Sequence, residues 1–231
     1  MPVWDEKQIR QLASLLLLLC GISPERLPPP VSREAARKSL QINEQKTLLS
    51  IGRVVPRKGM DMVIRALPRI QGKIPDVLYL VAGEGQYRQE LEHLARNLKV
   101  ESRVRFIGRF SDKDLATLCC SADIFVLPNR YVASEGSVEG FGIVFLEAAF
   151  YGLPVIAGRS GGAQDAVRDG ETVWIVNPES PSEIADAVCH LLENEEQRRE
   201  MGERGRKNAN TVHLWRHVAE RLNQAIRNPT G

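Results

Sequence analysis

Apolar positions between residues 47 and 176 fall in short runs, 47–51, 77–82, 104–107, 124–127, 155–157 and 173–176, rich in Val, Ile and Leu and without polar alternation. Runs of this length, buried on both faces, mark strands inside a parallel sheet. The stretches between them, 60–70, 86–98, 112–120, 145–151 and 183–192, repeat their apolar residues at helical spacing. Strand and helix in alternation predict an α/β fold, a doubly wound parallel sheet of Rossmann-like type. Right-handed crossovers bring every strand's C-terminal end to one edge, where sheets of this kind hold ligands. Gly52-Arg53, Gly83-Glu84-Gly85, Gly108-Arg109 and Pro128-Asn129 all fall at such ends.

Residues 1–40 have a different texture. A helix is predicted over residues 6–20, ending in the apolar run from Leu15 to Cys20; Pro24, Pro28, Pro29 and Pro30 then stop helices and stiffen an extended connector. Ser32 is placed to cap a short helix over residues 33–40. The chain thus divides into a leucine-rich helix with a proline-rich connector, residues 1–40, and one domain over residues 41–231. A last helix over residues 212–226 carries Trp215, Val218, Ala219, Leu222 and Ile226 on one stripe. At 231 residues there is core enough for one large domain but no room for a second full α/β domain.

The run ending at Cys20 is far shorter than the ~20 apolar residues a spanning helix needs. Its mixed-charge start, Asp5, Glu6, Lys7 and Arg10, does not suit a signal peptide. A cytoplasmic protein with at most peripheral membrane contact is expected. The net charge of +2 gives no field favouring nucleic acid, so any bound anion must be held by a local constellation. Cys20, Cys119, Cys120 and Cys189 form no CxxC pair, which fits a reducing compartment. Adjacent Cys119 and Cys120 lie in an apolar stretch and read as core packing.

Two segments carry the candidate chemistry. The first, Gly52-Arg53-Val54-Val55-Pro56-Arg57-Lys58-Gly59, follows a strand and opens a helix. Amides at a helix start, with Arg53 and Lys58, make a cradle for a diphosphate, although a solvated basic loop fits the segment equally well. The second runs from Glu139 through Gly140, Phe141, Gly142, Ile143 and Val144 to Glu147. Its glycines allow close backbone approach, and Gly142 to Val144 offer free amides as a helix begins. On a helix the two carboxylates would stand ~12 Å apart along the axis, too far for a shared acid–base role but suited to gripping two ends of an extended ligand. The plainer reading makes Glu139 a loop cap and Glu147 a buried ion-pair partner. Other signals fall away: Gly83-Glu84-Gly85 has Arg88 where a dinucleotide fingerprint needs glycine, and His213 and His217 lack the intervening Glu of a zinc peptidase. Gly161-Gly162 serves a turn or an anion site equally well.

Further landmarks follow in order: Phe106-Ile107-Gly108, Ala122-Asp123-Ile124-Phe125-Val126-Leu127-Pro128, Gly152-Leu153-Pro154-Val155-Ile156-Ala157, and Asp169-Gly170-Glu171-Thr172. Together with the two segments above, they resemble the retaining GT-B glycosyltransferases of group 1, also called family 4, across residues 46–178. The resemblance implies the C-terminal, donor-binding half of a GT-B fold. Residues 138–147 and 157–162 look most like bacterial mannosyltransferases that build phosphatidylinositol mannosides, which points to GDP-mannose. Carried over in this way, Arg53 and Lys58 with Gly52 would bind the donor diphosphate, Glu139 the transferred sugar, and the amides of Phe141, Gly142, Ile143 and Val144 the sugar and phosphate. Glu147 would hold the ribose hydroxyls, and Arg109 with Phe110 would approach the base. The implied reaction is hexosyl transfer with retention, without metal or other cofactor, in partnership with an N-terminal acceptor domain or subunit that these residues do not supply. Asp165, where the family usually has Glu, and Val173-Trp174, in place of a glycine-plus-apolar pair, depart from the pattern. A non-catalytic nucleotide-sugar module and a GT-B sugar-nucleotide epimerase are the competing classes; the presence of Arg53, Lys58, Glu139 and Glu147 together favours the transferase.

Overall fold

The structure, a computed structural model, describes residues 21–132, 142–159 and 172–211 together with residues 214, 215, 219, 220 and 223. Among these, the strands are β1 Thr47–Ile51, β2 Leu78–Ala82, β3 Val104–Gly108, β4 Ile124–Leu127, β5 Val155–Gly158 and β6 Val173–Val176. The helices are α1 Arg33–Ser39, α2 Met60–Lys73, α3 Arg88–Asn97, α4 Leu115–Ser121, α5 Ile143–Phe150, α6 Pro181–Glu193 and α7 Glu195–Thr211. The strands pair in parallel in the order β3-β2-β1-β4-β5-β6. Helices α2, α3 and α6 pack on one face, while α1 with α4 and α5 with α7 cover the other. The direction of winding reverses between β1 and β4, the position at which sheets of this kind form a ligand crevice at the strands' C-terminal ends.

Every residue of β1, β2, β4 and β5 is buried, as apolar runs without alternation require. The polar side chains inside the sheet satisfy one another. Tyr79, fully buried, donates to Ser50 Oγ at 2.7 Å, and Ser50 in turn donates to the Val126 carbonyl. At the N-terminal edge, buried Asp123 accepts from the Thr47 amide at 2.8 Å and from Arg33 of α1 at 2.8 Å. Arg37 adds bonds to the carbonyls of Ser121 (3.1 Å) and Gln45 (2.7 Å), so α1 is docked against the start of β1 and the end of α4. Cys119 is buried and Cys120 half-buried, both as free thiols pushed above the usual range by burial.

The sequence pattern did not predict α7. Its buried residues are Met201, Gly202, Gly205 and Ala209, so the contact face is made of small residues rather than an apolar stripe. A β-carbon at Gly202 would stand 2.1 Å from the Gly152 carbonyl oxygen, so close is the helix to the turn after α5. No described helix is long and apolar enough to cross a membrane. The helix over 6–20 with Cys20, most of that over 212–226, and His213, His217, Asp165 and Gly161-Gly162 lie outside the described residues.

Candidate functional site

Beyond β1 the ladder carries on into the loops. Gly52 N–H donates to the Ala82 carbonyl (3.0 Å), Val54 to that of Glu84 (2.9 Å), and Gly83 to that of Gly108 (2.9 Å). Glycine is needed where these turns touch. A β-carbon on Gly83 would lie 2.0 Å from the Gly52 carbonyl oxygen, one on Gly85 2.1 Å from that of Val54, and one on Gly59 2.0 Å from that of Pro128. Gly83-Glu84-Gly85 therefore serves the packing of loop on loop, which explains a fragment of fingerprint without its third glycine.

The turn Pro56–Lys58 leads through left-handed Gly59 (φ 69°) into α2. Lys58 is only 8% exposed, and its ammonium lies 3.6 Å from where a Gly52 β-carbon would be. A buried cation packed over the face of a glycine at the start of a helix adds positive charge to a helix N-terminus, a setting that suits an anion. Arg53 is exposed on the same loop. At the rim, Arg109 is exposed and pairs with Glu84 at 3.1 Å, while Phe110 packs partly buried against the core.

On the opposite face, α5 begins at Ile143 after left-handed Gly142 (φ 66°). Phe145 folds back so tightly that a β-carbon on Gly142 would meet its ring at 2.5 Å, and the same ring meets Phe125 of β4 edge to face at 5.9 Å. That aromatic contact seats α5 on the sheet with its first turn at the crevice. The amides of Ile143 and Val144 have no carbonyl one turn earlier in the helix; Ile143 is exposed and Val144 half-buried. Glu147 is half-buried, and burial, with Asp112 adding a smaller push, raises its pKa. Among the described residues its carboxylate has neither a hydrogen bond nor an ion pair, against the plainer sequence reading of an ion-pair partner. Because the helix starts at Ile143, helical rise does not set the spacing to Glu139; Glu139 and Phe141 themselves lie outside the described residues.

The sequence reasoning missed Arg130, three residues past β4. Its side chain, 12% exposed, meets Asp61 of α2 at 3.0 Å and Glu179 before α6 at 3.5 Å. Its only sequence signal is an arginine at the end of an apolar strand. A concavity of about 1020 Å³ lies at the other edge of the sheet. Three of its arginines are already committed: Arg33 and Arg37 fasten α1, and Arg198 donates to the last carbonyls of α6, Leu191 and Leu192, at 3.2 and 3.1 Å. The C-terminal edge is therefore the better candidate.

Residues 32–208 match the family model of glycosyl transferases group 1. A GDP-mannose-dependent alpha-(1-6)-phosphatidylinositol monomannoside mannosyltransferase of Mycobacterium tuberculosis is 36% identical over 216 residues, covering 93% of this chain and 56% of that protein. The chain thus spans about half the length of the curated relatives it matches. Sucrose-phosphate synthase from Thermosynechococcus elongatus superposes with a TM-score of 0.77 at 28% identity, over 91% of this chain and 51% of that one. The C-terminal domain of a group 1 family protein, LpcC, from Francisella tularensis does so with a TM-score of 0.74 at 24% identity, over 84% of this chain and 99% of that one, a likeness of fold.

Proposed function

This chain belongs to the group 1 glycosyl transferases, and from that premise we propose that its crevice binds a nucleotide-diphosphate sugar, GDP-mannose foremost, as donor for hexosyl transfer. The observation that carries the reading is the pair of side chains flanking the crevice: buried Lys58 at the start of α2, and half-buried Glu147 on α5 with its carboxylate unpaired among the described residues. An ammonium beside helix-start amides suits a diphosphate, and a carboxylate that other side chains leave free can accept from both hydroxyls of a ribose.

In this reading Lys58 and Arg53 neutralise the diphosphate, the amides of Ile143 and Val144 add to them, Glu147 holds the ribose, and Glu139 holds the transferred sugar. Arg109 and Phe110 line the approach to the base. Catalysis is electrostatic: the fixed positive groups stabilise the departing nucleoside diphosphate, without a metal. The configuration at the anomeric carbon is retained. Turnover depends on a second domain or subunit across the crevice, because holding the acceptor against that carbon accounts for about 7–11 kcal/mol of such a barrier. The GDP-mannose assignment draws on the name of the mycobacterial relative.

A thermal-shift panel of GDP-, UDP- and ADP-sugars tests the donor, since a ligand that binds only the folded chain raises its apparent stability. Lys58→Ala should fold normally and weaken binding roughly ten- to a hundredfold, the loss of one charge-assisted hydrogen bond. Unchanged affinity in that variant would remove the assignment.

A further inference from the structure

The loop after β1 and the loop after β4 come from opposite sides of the reversal in winding, and the proposed donor would lie on both. They are joined residue by residue. Pro128 presses its carbonyl against Gly59, and the Arg130 amide donates to the Arg57 carbonyl at 2.8 Å. The Arg130 side chain then reaches Asp61, whose own side chain is 5% exposed, in the first turn of α2. Lys58 sits between these fastenings.

We propose that Arg130 is the positioning residue of the donor site, clamping the loop after β4 to the start of α2 so that Lys58 faces the groups on α5. The proposal rests on the nucleotide-sugar reading above. The Arg130–Asp61 pair is buried, yet Arg130 Nη1 and Asp61 Oδ1 have no hydrogen-bond partner among the described residues. A buried ion pair that leaves one nitrogen and one oxygen unbonded is a poor source of global stability, and an apolar pair of equal volume would stabilise the fold as a whole at least as well. What the planar guanidinium adds is direction, fixing the angle at which the two loops meet. It also neutralises Asp61, a carboxylate three residues from Lys58 that would otherwise oppose an incoming diphosphate. Glu179, largely exposed, contributes less.

Three variants of the full chain test this: Arg130→Met, Arg130→Lys, and the double variant Asp61→Asn/Arg130→Met, which folds without a stranded charge. Amide hydrogen exchange over residues 53–61 reads the clamp, and calorimetric titration with GDP reads the site. Faster exchange at Lys58 and Gly59 is expected in both Met variants, with GDP affinity lowered about tenfold or more, and partial recovery in Arg130→Lys. A double variant that binds GDP as the wild type does would overturn the positioning role, as would unchanged exchange at Lys58 and Gly59. If the wild-type chain binds no GDP, the GDP-mannose reading fails on its own, while the exchange rates still decide whether Arg130 clamps the two loops.

Discussion

Glu147→Gln should move stability and affinity in opposite directions. In the folded chain this carboxyl is pushed above its ordinary value of 4.5, first by burial and then by the charge of Asp112. The folded state therefore holds the proton more tightly than the unfolded one, so the contribution to stability is full at acid pH. It is lost as pH rises from about 4.5 through the raised value, beyond which the ionised, desolvated group weakens the fold. Glutamine keeps the shape and removes the charge. Leaving a buried polar group unsatisfied costs about 1–3 kcal/mol, more when it is charged; a gain on the order of 1 kcal/mol at neutral pH follows, or roughly 2–4 °C in a chain of this size. The pH dependence of urea unfolding should flatten in the same variant. With nucleotide present the sign reverses, because the variant loses a charge-assisted bond and about ten- to a hundredfold in affinity. Urea melts from about pH 4 to about pH 8, paired with titration of GDP, measure both. A variant less stable than wild type at neutral pH, with the same pH slope, would show that Glu147 is a paired structural residue and refute the reasoning.

The remaining expectations concern the frame. In an ordinary helix interior Gly→Ala gains roughly 0.5–1 kcal/mol, but Gly202→Ala sets a β-carbon 2.1 Å from the Gly152 carbonyl and should lose about 1–3 kcal/mol; a raised urea midpoint would contradict this packing. Asp123→Ala strips the acceptor from both Thr47 and Arg33 and should cost about 1.5–3 kcal/mol. Arg33→Ala should cost distinctly less, since Arg33 is 46% exposed and Asp123 keeps the Thr47 amide; equal losses in urea titrations would mean the Thr47 bond contributes nothing.

The strands and most helices could be read in advance because a sheet covered on both faces writes its burial as unbroken apolar runs, as at 77–82 and 124–127. Helix α7 could not, because its inner face works through the absence of side chains at Gly202 and Gly205, which no hydrophobic pattern registers. The docking of α1 depends on Arg33 and Asp123, ninety positions apart, and a capped helix among prolines gives no hint of that partner. At the site, Lys58 could be picked out as a basic residue in a loop that opens a helix, and Glu147 as a charge between Leu146 and Ala148. Arg130 could not: its meaning lies in Asp61 and Glu179, which only the winding of the chain brings near.

The carbonyl-on-glycine contacts at the strand ends also set what can be redesigned. Turns that touch backbone to backbone cannot be lengthened singly: one residue added after β1 would displace the neighbours seated against Gly52 and Val54, and the disturbance would pass to the loops after β2 and β4. Loop grafting is the wrong instrument for giving this edge a new preference. Arg53, Arg109 and Ile143 are the exposed exceptions, and side chains can be exchanged there while the wall behind them stays in place.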